Sequence, residues 1–440
     1  MMDKYTQIRH INNLLFLFYQ VFVVGTLCAF RAVSSIMIGL ILVTSIIQNK
    51  NLQGVWLNRQ LKHPFVITCG LFFLLQLIPL AYTNNFFEGW KHVQVKSALL
   101  FIPLCFYSCA CINKVNFHSL MIVYIYTLAA LLIWSLGVGC NKYFFHHATT
   151  SVFFYHELVS NLGHHAVQFS IFVFAGLIYL LHLNHIKRYL KNKTVHFSLI
   201  AWLIIGIVLL SSKLVIIFTL GYLIYHLYTS LQKKTIARSV VAIALIAGII
   251  CSSAILLTQN PISRRFNDVL HGNIAVVQQP SFNTRDYFNG VQFRLLQWRF
   301  VKEILTEHKA WLFGVTPAAA QPLLNQKYMA THMYTGGRPG GSDRGYLDYN
   351  THNQFLESLL QTGIVGLLCF IAICVQLVIM AMTRQFDYTN RLLRALLLLL
   401  FAYTFSDAVF ETQYGLILFL FMPLLFYTGQ AGKYPAKPEE

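Results

Sequence analysis

The chain has 440 residues, of which 56% are hydrophobic and only 11% are charged. Soluble domains carry about a quarter charged residues, so the composition excludes an ordinary soluble fold and indicates a polytopic helical membrane protein. The formal net charge of +18 does not indicate a nucleic-acid partner, because the basic residues stand between apolar runs, where they act as topology signals.

Apolar runs of about 20 residues, the length needed to cross a bilayer, recur along the whole chain. We predict twelve spans, at residues 11–30, 32–48, 64–82, 93–111, 117–139, 165–183, 196–211, 213–230, 239–258, 354–381, 392–409 and 413–429. Residues 196–230 are too long for one helix, and Ser211-Ser212-Lys213 is the natural break. Lys and Arg concentrate in alternate connections, which predicts that both termini are cytoplasmic.

The predicted spans divide the chain into three parts. Residues 1–258 hold spans one to nine, residues 259–353 form one large polar loop on the far face, and residues 354–440 hold the last three spans and a cytoplasmic tail. Within the loop, Val291–Trp311 is predicted to form a helix that lies along the membrane surface or caps the bundle. Apolar residues recur along it at helical spacing: Leu295, Trp298, Val301 and Leu305.

No familiar metal or nucleotide motif stands out. Nearly all of the nine cysteines lie inside apolar runs and are interpreted as packing residues. The sequence has no Asp-x-Asp pair, phosphate-binding loop, Gly-x-Ser-x-Gly elbow or His-Glu-x-x-His motif. We therefore expect no metal and no cofactor, and an enzyme of this sequence would use an activated donor and positive side chains.

His352 is the first candidate catalytic residue. It stands where the polar loop meets an apolar helix, and we expect Thr351 or Asn350 to cap that helix with His352 in its first turn. A neutral imidazole is a competent general base near neutral pH. The alternative is a histidine that only bonds a loop carbonyl.

Two cations are candidates for binding phosphate. Arg294 lies on the loop helix one turn before Trp298, and its planar fork suits phosphate oxygens; the alternative is an arginine that anchors lipid headgroups. Lys213 stands between apolar runs, where an ionisable group is a functional candidate unless it snorkels from a helix end. Weaker candidates are Lys96, Asp407 and Glu411. Glu411 could orient a cation or an acceptor sugar, or it could be a helix-end charge.

One block of sequence carries a family resemblance. His352-Asn353-x-x-Leu356-Glu357, followed by Thr362-Gly363-Ile364-x-Gly366, resembles the signature of the O-antigen ligase / O-antigen polymerase superfamily. Three further stretches are similar to family elements: Arg294…Trp298…Gly314, Ser212-Lys213 where most members have Ser-Arg, and Tyr155…His165-x-x-x-Phe169. The resemblance implies an all-α, GT-C-like membrane protein with about twelve spans and one large periplasmic loop.

The same resemblance implies a function. Family members move a glycan from undecaprenyl diphosphate to a sugar hydroxyl of lipid A-core, to another repeat unit, or to a protein hydroxyl. We therefore expect an inverting, metal-independent glycosyltransferase of the bacterial inner membrane, active on the periplasmic face and in contact with membrane lipids. His352 would be the base, Arg294 and Lys213 would bind the diphosphate, and four residues would support them: Asn353, Trp298, Glu411 and His165.

A transporter of lipid-linked glycans is the rival interpretation from a different class. It would also need many spans and basic residues in the bilayer, but at several depths along a central cavity. Here Lys213, Arg294, His352 and Glu411 are all predicted at one face, which favours surface chemistry. Ligase, polymerase and protein glycosylation remain open alternatives, because they share the donor and differ in the acceptor.

Overall fold

The computed structural model describes residues 4–54, 62–83, 85–108, 114–182, 192–232, 274–337, 343–383 and 388–429. These residues form α-helices joined by short 3₁₀ turns. In chain order the helices are α1 (Lys4–Leu27), α2 (Arg31–Gln53), α3 (Pro64–Leu77), α4 (Phe86–Lys96), α5 (Ala98–Ser108), α6 (Lys114–Phe145), α7 (Tyr155–Val159), α8 (Ala166–His182), α9 (Lys193–Leu210), α10 (Lys213–Gln232), α11 (Gly290–Glu307), α12 (Pro317–Ala330), α13 (Gln354–Met382), α14 (Tyr388–Thr404) and α15 (Gln413–Thr428).

The described residues support an α-helical membrane protein but not the full set of twelve spans. Seven helices are long and apolar enough to cross a bilayer, and an eighth crossing results if the segments Tyr155–Leu162 and Ala166–His182, which meet at a bend of 83°, count as one. The predicted span 239–258 lies outside the described residues. The helices α14 and α15, which correspond to predicted spans 392–409 and 413–429, are shorter than a full crossing.

The prediction of a single span over residues 93–111 is wrong. Ser97 separates the polar helix α4 from the short apolar helix α5. Lys96, the last residue of α4, is only 2% exposed and reaches acceptors on other elements. Its ammonium group lies 3.0 Å from Glu411 Oε1 and 3.0 Å from Gln76 Oε1. A buried lysine needs such partners, and a straight apolar helix facing lipid would not provide them.

The predicted break after residue 210 is confirmed. Helix α9 ends at Leu210, Ser211 adopts a left-handed conformation with φ of 50°, and α10 begins at Lys213. The Ser211 hydroxyl donates to the Val208 and Leu209 carbonyl oxygens. The end of α9 is therefore capped locally, and the following helix can turn back into the bundle.

Helix α13 is kinked where it begins to enter the bundle. Gly363 has a φ of 66° and leaves the helical conformation. The backbone groups freed by the kink bond to the polar loop: the Ile364 N–H donates to the Trp311 carbonyl (2.9 Å), and the Leu360 carbonyl accepts from Val315 N–H (2.8 Å). Irregular backbone within a membrane helix persists only where such partners exist. These hydrogen bonds attach the loop to α13.

Two glycines make this backbone contact possible. Gly314 also has a positive φ of 73°, and a side chain there would overlap the backbone of Gln361. A side chain at Gly363 would overlap the backbone of Leu312 and Phe313. Both positions thus require glycine for close approach and for conformation.

We expect Gly363→Ala to destabilise the protein strongly. A left-handed alanine costs about 1–2 kcal/mol, and the overlap with the Leu312 carbonyl must also be relieved. The combined cost should reach at least about 2 kcal/mol, lowering the Tm of the detergent-solubilised protein by several degrees. Gly221→Ala on α10 is the control, because nothing lies within 4 Å of an added Cβ there. Equal Tm values for the two variants would contradict this account of the kink.

The loop helices form a small core of their own. Asn289 caps α11 in a reciprocal capping box with Gln292. The predicted helix Val291–Trp311 is thus confirmed at this position in the chain, although α11 ends earlier, at Glu307. Its buried face differs from the predicted one: Val301 and Leu305 are buried, but Leu295 and Trp298 are only partly so. The residues that fill the core with α12 are Leu296, Phe300, Ile304, Leu324 and Tyr328.

Candidate functional site

His352 lies just outside α13, not in its first turn as predicted. The N-cap is Asn353, whose Oδ1 accepts from Phe355 N–H (2.9 Å) and Leu356 N–H (3.1 Å). The predicted caps, Thr351 and Asn350, are therefore wrong. The correction matters because the residue before the cap points away from the helix, and His352 remains partly exposed with a φ of 46°.

Asp407 is the acidic partner of His352. Its Oδ1 lies 3.6 Å from His352 Nδ1, and its Oδ2 accepts from the Tyr403 hydroxyl at 2.6 Å. Burial raises the pKa of Asp407, but the nearby His352 imidazole and the hydrogen bond from Tyr403 more than offset burial, so its pKa falls below the usual value. The carboxylate is ionised at neutral pH and can stabilise a positive charge on His352.

Arg294 reaches the same end of the bundle from α11. Its Nε donates to the Ser406 carbonyl (3.1 Å), next to Asp407, and its Nη1 donates to the Gly290 carbonyl (2.8 Å). Burial lowers the pKa of Arg294, an effect that Asp407 and Tyr155 oppose. A guanidinium group held at two of its nitrogens has a defined orientation.

The bend between α7 and α8 brings further rings to this site. His165 precedes α8, and its charge interacts with Asp407. The rings of His165 and His156 lie 4.4 Å apart, and His156 packs at 3.9 Å from the ring of Tyr155. The weak family match around Tyr155 and His165 therefore lies beside Asp407 in the structure.

Lys213 lies on a helix that packs against the site. Helix α10 contacts both α8 and α14. Side chains of these three helices line an apolar cavity of about 450 Å³, among them Phe174, Ile217 and Leu398. The role of Lys213 as a partner of the diphosphate stays a prediction.

A second group of charged side chains is buried beside the site. Glu411 Oε1 is 3.0 Å from Lys96 Nζ, and Glu411 Oε2 is 3.2 Å from His92 Nδ1. Burial raises the pKa of Glu411, but Lys96 and His92 outweigh burial and hold it well below the usual value. The Gln361 amide donates to Glu411 (2.9 Å) and to Glu357 (2.6 Å). Glu411 thus lies against two basic side chains, Lys96 and His92, and its role stays a prediction.

Two predicted supporting residues have structural contacts. Asn353 is buried, caps α13 and donates from Nδ2 to the Phe405 carbonyl (3.4 Å). Trp298 lies one turn after Arg294, and its indole N–H is buried without a partner among the residues that the structure describes. Asn353 therefore stabilises the backbone at the start of α13 and at Phe405. The role of Trp298 stays a prediction.

Asp407 and Glu357 were underrated by reasoning from sequence. The chain has only 15 acidic residues, and an acidic group near a membrane span is a functional candidate. The small number of acidic residues was the signal in the sequence that could have ranked these two higher. The partnership of Asp407 with His352, 55 positions apart by their numbering, depends on how α13 and α14 pack.

The arrangement has the parts needed for transfer to a hydroxyl group. His352 Nδ1 faces a carboxylate, so Nε2 is left to accept a proton from a substrate. Arg294 supplies a positive charge that is held against the Ser406 carbonyl, next to Asp407. In the described part of the chain, no three His, Cys, Asp or Glu side chains are grouped to hold a metal ion.

Comparison with known proteins gives one family match, over part of the chain. A family model described as O-antigen ligase matches residues 198–371, and members of that family are glycosyltransferase- or ligase-type enzymes. The matched segment includes Lys213, Arg294 and His352, whereas His165, Asp407 and Glu411 lie outside it. No curated protein matches the chain. The family match supports the resemblance seen in the sequence: residues 198–371 of this chain are similar to the O-antigen ligase family.

Proposed function

We propose that the protein is an O-antigen ligase that moves a glycan from undecaprenyl diphosphate to a sugar hydroxyl of lipid A-core. The observation that carries the proposal is the convergence of a His–Asp pair and a partly buried arginine at one end of the bundle. The description of the matching family as O-antigen ligase favours this acceptor. The active face would be periplasmic, in the inner membrane, consistent with the distribution of basic residues in the sequence.

His352 is the proposed general base. As the acceptor hydroxyl attacks the anomeric carbon of the donor, its proton passes to His352 Nε2. Asp407, 3.6 Å from Nδ1, stabilises the imidazolium ion that forms. Hydrogen bonds at an active site often shorten once substrate binds. Attack from the face opposite the leaving group inverts the configuration at the anomeric carbon.

Arg294 and Lys213 are the proposed partners of the diphosphate. When the bond between the anomeric carbon and the diphosphate oxygen breaks, negative charge grows on that oxygen and undecaprenyl diphosphate leaves. Preorganised cations stabilise such charge most where water is scarce. Two carbonyl contacts hold the Arg294 guanidinium in place, so it need not reorganise during the reaction.

A complementation experiment tests the proposal and separates the acceptors. The gene is removed from its host, and the surface glycan is examined by gel before and after it is restored. A ligase mutant loses polymer-capped lipopolysaccharide and accumulates long carrier-linked chains. A polymerase mutant instead shows lipopolysaccharide capped by single units, and loss of glycan from protein alone would indicate protein glycosylation. An unchanged glycan profile with intact lipid-linked donor would reject all three acceptor classes.

Purified protein in vesicles distinguishes an enzyme from a transporter. With lipid-linked donor and lipid A-core on the same face of the membrane, a transferase forms the product without moving the donor across. Added chelator should leave the rate unchanged if the transfer is metal-independent, as proposed. Donor crossing the bilayer with no transferred product would instead support the transporter.

A further inference from the structure

A continuous buried network connects the two loops that carry His352 and Asp407. Thr351, the neighbour of His352, donates its backbone N–H (3.1 Å) and its hydroxyl (2.8 Å) to Glu357 Oε2. Glu357 Oε1 accepts from Gln361 Nε2 (2.6 Å), which also donates to Glu411 Oε1 (2.9 Å). Glu411 ends the short 3₁₀ turn that directly follows Asp407 and Ala408. The chain of bonds therefore runs from one half of the His–Asp pair to the other.

Four members of this network, Thr351, Glu357, Gln361 and Lys96, are too deeply buried to bind substrate, and Glu411 is 11% exposed. Thr351 is 0% exposed, Glu357 is 3% exposed and Gln361 is 2% exposed. Lys96 donates to Gln361 and lies beside Glu411, so its ammonium group is paired with one carboxylate and one amide oxygen. Hydrogen bonds among buried groups are strong because the local dielectric is low, and their geometry is correspondingly stiff. Their effect on the reaction must be transmitted through the residues that they hold.

His352 needs to be held in this way. Its φ of 46° is unusual for a residue with a side chain, and such a conformation persists only where the surroundings determine it. Thr351 is fixed by Glu357 on one side, and Asn353 is fixed as the cap of α13 on the other. On the opposite loop, the Phe410 N–H donates to Gln354 Oε1 at 2.6 Å. The backbone near both His352 and Asp407 is thus tied to the start of α13.

We propose that Thr351, Glu357, Gln361 and Glu411, together with Lys96, form a positioning network that sets the separation and orientation of His352 and Asp407. None of these residues touches substrate. The kinetic part of the proposal rests on the proposed function, whereas its structural part does not. The network explains why an acidic residue follows His352 by five positions in the block of sequence that resembles the family signature.

Thr351→Val and Thr351→Ser form a matched pair for the test. Valine has the shape of threonine but cannot donate to Glu357, and serine keeps the hydroxyl. In the glycan-transfer assay, we expect Thr351→Val to lower kcat by up to about a hundredfold, the effect of misplacing a catalytic group by about 1 Å, with little change in KM. Thr351→Ser should restore most of kcat. Equal kcat values for the two variants would overturn the proposal.

Hydrogen exchange supplies a readout that does not depend on activity. Mass spectrometry would follow the peptide that covers residues 349–356, in which the Thr351 N–H is protected by Glu357. Exchange should be faster in Thr351→Val than in Thr351→Ser. Thr219→Val is the control, because Thr219 is also buried but its hydroxyl bonds only within α10, to Val215.

The two readouts separate the two proposals. Faster exchange together with an absence of glycan transfer by the unaltered protein would reject the proposed function and keep the structural network. Exchange in Thr351→Val that matches Thr351→Ser and the Thr219→Val control would reject the network, whatever the transfer assay shows. Glu357→Gln is a second variant. Its side-chain amide has an NH₂ group in place of one carboxylate oxygen, and that group would face a donor, either the Thr351 hydroxyl or the Gln361 amide. One link of the network is then lost, and the peptide should also exchange faster.

Discussion

Replacement of His352 by alanine should lower kcat for glycan transfer by about 10²- to 10⁴-fold, the usual contribution of a positioned general base. The physical reason is that a sugar hydroxyl is a poor nucleophile and needs a base as it attacks. Substrate binding should change little, since the imidazole lies beside Asp407 and is only partly buried. The measurement is a transfer assay with purified protein, with kcat and KM determined separately for donor and acceptor.

His332→Gln is the matched control for this variant. His332 lies in the same polar loop, is exposed, and also has a positive φ, of 58°. Its replacement should leave kcat unchanged. A His352→Ala protein that is well folded, elutes as a single species and transfers glycan at the normal rate would remove His352 from the catalytic role.

Replacement of Arg294 by glutamine should lower kcat by about 10²- to 10³-fold, the range for loss of one preorganised group that stabilises transition-state charge. The guanidinium is partly buried, and its contacts with the Ser406 and Gly290 carbonyls fix its direction. Glutamine cannot supply positive charge to a departing diphosphate. Donor analogues that carry undecaprenyl diphosphate should also bind more weakly, and a titration of such an analogue measures this directly.

Arg285→Gln controls for a general loss of positive charge in the loop. Arg285 is exposed and bonds through its backbone to Asn283, so its replacement should not affect transfer. Lys213→Met should resemble Arg294→Gln if both cations hold one diphosphate. Full activity in Lys213→Met would remove Lys213 from that set, and full activity in Arg294→Gln would contradict the electrostatic account.

Much of the helical architecture was predictable because local composition decides it. A bilayer requires long apolar helices with internally satisfied backbones, so runs such as residues 117–139 and 213–230 predicted α6 and α10 within a few residues at each end. The break at Ser211 was predictable for the same reason, since one helix could not hold residues 196–230. The prediction of one span over residues 93–111 was wrong because the hydrogen-bond acceptors of Lys96 lie on distant segments of the chain.

The candidate site was only partly predictable. His352 and Arg294 were found because basic and imidazole side chains near apolar runs are conspicuous, and because one block resembles a known family. Asp407 was ranked low, since nothing near it in sequence indicates a histidine partner. The cap was also misplaced by two or three positions, because Thr, Asn and Asp all cap helices and only the backbone conformation distinguishes Asn353 from Thr351.

By itself, the sequence determined that this is a helical membrane protein with a large polar loop, and it pointed to the family through His352 and the glycines that follow it. Hydropathy and glycine content influence the backbone over only a few neighbouring residues, so they can be interpreted without knowledge of the tertiary structure. Only the tertiary structure decided that Asp407 faces His352 and that Gly314 and Gly363 bring two backbones into contact. The buried network from Thr351 to Lys96 likewise depends on packing, because its members come from helices that meet only when the bundle closes.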